Sequence, residues 1–263
     1  MLADRPSLQL HLQLDYFRST RPGPESTAIT LLPLLRAYPD RVKISLYRSP
    51  TLRGLLARIV PRRWDEGWGT WHAKIYGTDD ELLLTGYVNT ISPFASHHIL
   101  YSANLNTSYF TNRQDRYIHL RDQNLLASYC SDFLKIVSCA SCNLQPPTHS
   151  SEEYQLCPPS TSLGNPFQLY EELSSSLKNL QASYRSKEAE TKSDVELLPI
   201  IQSGPLLISE EETALGTLFE GLRNDADAVV DLTSGYFGLY EDYQQHVLKS
   251  KARWRILAAS PKV

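Results

Sequence analysis

The chain has no run of about 18 apolar residues, so no segment of it is predicted to span a bilayer as a helix. It has no excess of positive charge either: 26 Lys and Arg stand against 29 Asp and Glu, for a net charge of -3. Affinity for a phosphate backbone needs clustered cations, so no nucleic acid is expected as a general partner. Cysteine is scarce, with Cys130, Cys139, Cys142 and Cys157 the full set, and nothing points to a disulfide framework. Cys139-Ala-Ser-Cys142 is a C-x-x-C, but its neighbours lie at unequal distances and His149 alone is well placed beside it. Reduced bystander thiols are the reading there, with a zinc site or redox pair as the alternative.

What is there is the composition of an ordinary globular protein, with enough length for a sizeable core and one large or two modest domains. Leu8 to Phe17 alternates apolar and polar residues and predicts a strand. Thr27 to Tyr38 carries Ile29, Leu32 and Leu35 at helical spacing and is closed by Pro39-Asp40. Val42 to Tyr47 alternates again, with Val42, Ile44 and Leu46 on one face. A helix is expected over 118–137, starting near the charged Arg121-Asp122 pair. From 138 to 166 Ser, Pro, Thr and Cys dominate, which reads as a linker or long surface loop. Gln168 to Lys192 is polar and helix-compatible, expected to cover rather than to form core. The last segment then repeats the opening. Ala228 to Phe237 reads as a strand ending in Tyr236-Phe237, as the first ends in Tyr16-Phe17. Tyr240 to Lys249 reads as a helix and Arg253 to Ala259 as a strand closed by Ser260-Pro261. Self-similarity on this scale argues for a duplicated unit.

The densest chemistry lies at Trp71-His72-Ala73-Lys74-Ile75-Tyr76-Gly77-Thr78-Asp79, an H-x-K-x4-D pattern followed by Gly86. On a strand, His72 and Lys74 share one face while Ala73 and Ile75 face a core. An imidazole is a competent nucleophile near neutral pH and forms covalent intermediates. A lysine beside it supplies charge where phosphoryl oxygens become more negative. Asp79, across a short turn, is placed to orient a partner imidazole. A single surface His near a Lys is ordinarily a solvated pair, so the surrounding blocks matter.

Those blocks are Ala103-Asn104-Leu105-Asn106-Thr107-Ser108-Tyr109-Phe110-Thr111-Asn112-Arg113-Gln114-Asp115-Arg116-Tyr117, then Leu14-Asp15-Tyr16-Phe17-Arg18-Ser19-Thr20-Arg21 and Ser49-Pro50-Thr51-Leu52-Arg53-Gly54-Leu55-Leu56. Together with the H-x-K-x4-D they resemble the phospholipase D superfamily and, more narrowly, its mitochondrial phosphatidylglycerophosphate synthase family. The resemblance covers most of residues 8 to 135 and returns more weakly from about 195. It implies an α/β fold, a phospholipase D-like mixed sheet flanked by helices, with the first repeat complete and the second cut short. The domains expected are 1–137 with the motif, 138–166 as linker, and 167–263 as the start of a second unit without its catalytic motif. It implies transfer of a phosphatidyl group from CDP-diacylglycerol to glycerol 3-phosphate, releasing CMP, with no metal or organic cofactor. His72 would attack, Lys74 and Asn104 would bind phosphoryl oxygens, and Asp79 would orient a histidine. Arg113 or Arg116 would hold the pyrophosphate or the acceptor phosphate, since guanidinium forks match that geometry; a buried Arg-Asp network is the other reading of this cluster. The location implied is mitochondrial, peripheral on the inner membrane.

Several features depart from the family pattern. His11, His97, His98, His119, His149 and His246 are not followed by Lys at +2, so the chain carries one H-x-K where superfamily chemistry uses two facing each other. A truncated sequence is the expectation, and a homodimer pairing two motifs about a two-fold axis is the alternative. Met1 to Leu14 shows neither a secretory nor a mitochondrial leader, which suggests an amino terminus further upstream. Residues 87–102 separate Gly86 from Ala103-Asn104, contiguous in the family, and read as a translated, frame-preserving intron. A real surface loop is tolerated thermodynamically, and Asn89 would then compete with Asn104 for the phosphoryl role. Leu52, Leu55, Leu56, Ile59 and Val60 line one helical face beside Arg53, Arg58, Arg62 and Arg63. That face suits docking on an anionic membrane surface or packing into a core with a solvated basic flank. Serine as acceptor, a phospholipase D-like nuclease and an inactive gene product are the alternative functions.

Overall fold

The computed structural model describes residues 2–23, 26–49, 52, 59–60, 69–84, 111, 117–148, 153–159, 166–187, 197–234 and 238–258. The main elements run β1 (Leu10–Asp15), α1 (Tyr16–Ser19), α2 (Thr27–Ala37), β2 (Val42–Tyr47), β3 (Ile75–Gly77), β4 (Leu82–Leu84), β5 (Ile118–Leu120), α3 (Asn124–Cys139), β6 (Cys142–Gln145), β7 (Gln155–Cys157), α4 (Pro166–Arg185), α5 (Glu210–Leu222), β8 (Val229–Ser234), α6 (Glu241–Lys249) and β9 (Arg253–Ala258). The architecture is mixed α/β, as expected, with several small sheets. The chain divides into two compact units, one of residues 1–72, 129–182 and 203–207, the other of 73–128, 183–202 and 208–263.

The first unit is built on a four-stranded sheet in the order β1-β2-β6-β7. β1 and β2 are parallel, in register from Leu10 opposite Val42 to Asp15 opposite Tyr47, and β6 and β7 add antiparallel. The alternation read from the sequence now has a physical partition. Leu10, Leu12, Leu14, Val42, Ile44, Leu46 and Leu144 pack with Ala28, Leu32 and Leu35 of α2. Each fully buried leucine or isoleucine there contributes about 1.5–3 kcal/mol. The other face is polar. His11 Nε2 lies 3.2 Å from Ser45 Oγ, Ser45 Oγ lies 2.9 Å from Ser138 Oγ, and Gln13 donates to Ser141 Oγ at 3.0 Å. The end of α3 and the turn after it therefore meet this face through the hydroxyls of Ser138 and Ser141.

Two expectations change here. Part of the Ser/Pro-rich stretch 138–166 is strand: β6 and β7 supply half of the four-stranded sheet, because Asn143, Leu144 and Gln145 find partners in Cys157, Leu156 and Gln155. The segment after Gln168 is more than a cover. Leu169, Leu173, Leu177 and Leu180 of α4 recur every three or four residues and are all buried, the spacing of a core-facing helical stripe. Ser174 on the same helix donates to the Leu206 carbonyl at 2.8 Å.

The second unit holds the antiparallel sheet β3-β4-β5 and the parallel pair β8-β9. The helix expected over 118–137 begins later, at Asn124, because Ile118, His119 and Leu120 pair with Leu84, Leu83 and Leu82 as β5. Asp122, with φ of 56°, makes the left-handed turn between the two. β8, α6 and β9 appear where the repeat placed them, with Val229 opposite Arg253 through Ser234 opposite Ala258.

Candidate active site

In parallel strands the carboxyl ends share one edge, and in α/β sheets ligands gather there. At that edge of the β1-β2 pair stand Asp15 and Tyr47, the last register partners. Asp15 closes β1 and caps α1, its Oδ1 accepting from Arg18 N at 2.9 Å. Its Oδ2 accepts from Trp71 N at 3.0 Å, although 56 residues separate the two in sequence. The Asp15 side chain is 8% exposed.

Trp71 is held by its ring as well. Its centroid lies 5.9 Å from that of Tyr47 and 5.7 Å from that of Phe133, with the Phe133 planes 23° apart. Tyr129 continues the stack beyond Phe133 at 6.5 Å. Aromatic pairs of this kind, one tilted and two stacked, add about 0.5–1.5 kcal/mol per pair beyond area burial. Two residues before Trp71, Gly69 adopts a φ of +74°, and a Cβ there would lie 2.6 Å from Ser49 Oγ. Only glycine fits both the dihedral and the gap. Arg48 lies near the same edge, its guanidinium carbon 5.2 and 5.3 Å from the ring centroids of Tyr16 and Phe17.

His72 follows Trp71 directly and is exposed, and Lys74 is half-buried. Both precede β3, which starts at Ile75, rather than lying within it. Ala73, expected to face a core, is exposed. The reason lies in the pairing: Ile75, Tyr76 and Gly77 are the residues that find partners in β4, so the ladder begins one residue after Lys74. Asp79 is exposed in the turn that Thr78 N closes on the Glu81 carbonyl at 2.9 Å, at the other end of β3 from Lys74. Asn104, Arg113, Arg116, Asn89 and the 87–102 segment lie outside the described residues, as does most of the segment from Leu52 to Arg63 expected to be helical. Of that segment Leu52 is buried, and Ile59 is 67% exposed.

Beyond β3 the second unit carries further polar groups. His119 Nε2 lies 3.0 Å from Glu81 Oε2, with both side chains exposed. Tyr76 is pushed above the ordinary tyrosine range by burial and by Tyr117 beside it. The Tyr117 hydroxyl is buried and has no hydrogen-bond partner among the described residues. In the first unit, burial and the charge of Lys43 hold the His11 imidazole below the usual histidine range. A groove of about 790 Å³ opens beside it, lined in part by Lys43, Lys135, Asn143 and Gln145. Cys139 and Cys142 form no disulfide, and burial lifts Cys130 to about 11. Among the described residues no group of three or more His, Cys, Asp or Glu is gathered to hold a metal.

Sequence reasoning gave no task to Asp15, the aromatic row or Gly69, which hold the segment before His72. Asp15 had one legible signal, an acid closing an otherwise apolar alternation. The Tyr47, Trp71 and Phe133 stack had none, because it joins three distant segments.

No family model matches the chain, and no solved structure matches it. Curated proteins do. It is 33% identical over 278 residues to a probable CDP-diacylglycerol–glycerol-3-phosphate 3-phosphatidyltransferase of Dictyostelium discoideum, covering 97% of this chain and 44% of that protein. It is 30% identical over 286 residues to the mitochondrial protein of that name from Gallus gallus, covering 99% of this chain and 48% of the relative. The Schizosaccharomyces pombe protein of that name is 29% identical over 307 residues, covering 98% and 57%. The chain spans about half the length of the curated relatives it matches. Over nearly its whole length, this chain is a homologue of the proteins named CDP-diacylglycerol–glycerol-3-phosphate 3-phosphatidyltransferase.

Proposed function

We propose that the protein transfers a phosphatidyl group from CDP-diacylglycerol to glycerol 3-phosphate, giving phosphatidylglycerophosphate and CMP on the route to cardiolipin. The observation that carries this reading is the similarity over nearly the whole chain to proteins named for that reaction. The exposed His72, on a segment anchored through Trp71, agrees with it.

In this scheme an unprotonated ring nitrogen of His72 attacks the phosphorus of the phosphatidyl group. A P–N bond forms, the bond from phosphorus to the CMP oxygen breaks, and CMP leaves with the electron pair. A hydroxyl of glycerol 3-phosphate then attacks the same phosphorus, loses its proton to a base and releases His72. Lys74 and Asn104 stabilise the equatorial oxygens, Arg113 and Arg116 hold the pyrophosphate or the acceptor phosphate, and Asp79 orients a histidine. That chemistry asks for a second imidazole to protonate the leaving group and activate the acceptor. A second copy meeting the first about a two-fold axis supplies one, and activity that tracks the dimer fraction is its expected sign.

The substrate is a lipid, and no helix among the described residues is long and apolar enough to cross a membrane. The animal relatives are named mitochondrial. We assign the protein to the inner mitochondrial membrane surface, held peripherally by anionic lipid at the basic segment from Leu52 to Arg63. The phospholipase D-like repeat arrangement is part of the same proposal. The test is an acceptor-dependent assay with CDP-diacylglycerol in mixed micelles. CMP release that requires glycerol 3-phosphate, ignores serine and disappears in His72→Ala supports the reading. Release driven by serine, or undiminished in His72→Ala, sinks it.

A further inference from the structure

We infer that Asp15 is a positioning residue, whose buried carboxylate fixes the peptide that presents His72; the inference rests on His72 being the nucleophile proposed above. The geometry is specific. One oxygen takes Arg18 N at 2.9 Å and the other takes Trp71 N at 3.0 Å. A carboxylate can only accept and a backbone N–H can only donate, so each oxygen meets a partner that suits it. Hydrogen bonds to an ionised acceptor are about twice as strong as neutral ones.

Asp15 does not act alone. Residues 69 to 71 are fixed at three points: Gly69 against Ser49, the Trp71 amide on Asp15, and the Trp71 ring between Tyr47 and Phe133. The next residue is His72, which is exposed. This divides the labour between an immobile peptide and an accessible ring. Orientation of a nucleophile is worth this investment of structure, because a displacement of about 1 Å can cost on the order of 100-fold in rate. Helix capping alone would explain the Arg18 bond, since α1 begins at Tyr16. It does not explain why the second oxygen reaches across 56 residues to the peptide before His72.

Asp15→Asn separates the two roles with little change of volume. The amide keeps one accepting oxygen and turns an NH2 toward a backbone N–H, so one of the two bonds is lost. The control is Ser26→Ala, which removes the Ser26 hydroxyl's 3.1 Å bond to the Ser19 carbonyl at the end of α1 and leaves Trp71 untouched. Expected for Asp15→Asn are a kcat lower by on the order of 100-fold, an unchanged KM, and faster amide hydrogen exchange at Trp71 than at β1 and β2 amides. Ser26→Ala is expected to melt earlier yet keep wild-type kcat and wild-type relative protection at Trp71. If Asp15→Asn keeps wild-type kcat, or if its Trp71 exchange rises only in step with global stability, the inference is overturned.

Hydrogen exchange needs no turnover. A wild-type chain that transfers nothing would therefore count against the proposed reaction, while the Trp71 amide still decides whether Asp15 holds that peptide. Should Asp15→Asn fail to fold, Gly69→Ala displaces the same segment from the Ser49 side. It is expected to reproduce both the kcat loss and the faster Trp71 exchange, and wild-type values for the pair would contradict the account.

Discussion

The β1-β2 and β8-β9 pairs share a plan and differ in nearly everything built on it. Both are six-residue parallel strands joined by a helical crossover. In the first, β2 has a further strand on its other edge, and Leu46 is 0% exposed. In the second, β9 belongs to a two-stranded sheet and Leu257 is 68% exposed. The strand ends differ as well. The first reads Asp15 ahead of Tyr16-Phe17, whereas the second reads Gly235 ahead of Tyr236-Phe237. The carboxylate that grips Trp71 has no counterpart in that sequence position. One local pattern thus makes a strand, a helix and a strand twice. Coverage by other elements decides burial, and the acid at the end of the first strand holds the Trp71 peptide.

The sharpest way to break this contrast is to delete a histidine from each side. His72→Ala is expected to lower transfer by about a thousandfold or more, whereas His246→Ala, on α6, leaves kcat unchanged. Equal losses would mean that the second unit shares the chemistry. A core substitution comes next. Leu46→Ala is expected to cost about 2–5 kcal/mol by urea denaturation, and Leu257→Ala to stay within about 0.5 kcal/mol. A large effect at Leu257 would show that β9 is covered in solution.

A smaller effect concerns pH. His11 titrates below its ordinary 6.5 because it is buried beside Lys43, so the unfolded chain binds that proton more readily than the folded one. The stability it contributes is fully present above about pH 6.5 and declines as pH falls toward the folded value. Denaturation midpoints at pH 7.5 and 5.5 should fall in wild type and fall less in His11→Gln; parallel slopes would remove His11 as the cause. Smallest of all is Arg255→Ala, which breaks an exposed pair with Asp231 across β8 and β9. It should leave the melting temperature unchanged, and a marked drop would show that the second pair depends on that contact.

Much of the fold was legible because local periodicity and local pairing agree. The alternation of Leu10, Leu12 and Leu14 matches that of Val42, Ile44 and Leu46, and both stripes meet α2. Where reading failed, the cause was a partner distant in sequence. β5 was taken into the helix because nothing near Ile118 announces that Leu84 pairs with it. Residues 142–145 and 155–157 lie in a Ser- and Pro-rich context that suggests a loop, until each strand finds the other. The leucine stripe of α4 was diluted by serines and charges in its mean composition, although its spacing carried the signal. His72, Lys74 and Asp79 stand out in the sequence by spacing alone. Asp15 shows no role in the sequence beyond its place in a family-like block, because its bond is to a residue 56 positions away.

The measurement that bears most directly on the account is a search for the covalent intermediate. The full chain is mixed with CDP-diacylglycerol, quenched without acid, digested and analysed by mass spectrometry. The account predicts a phosphatidyl mass on the His72 peptide that vanishes when glycerol 3-phosphate is added before the quench and is missing from His72→Ala. Transfer that proceeds with no adduct at His72, or an adduct that persists when His72 is removed, would contradict it.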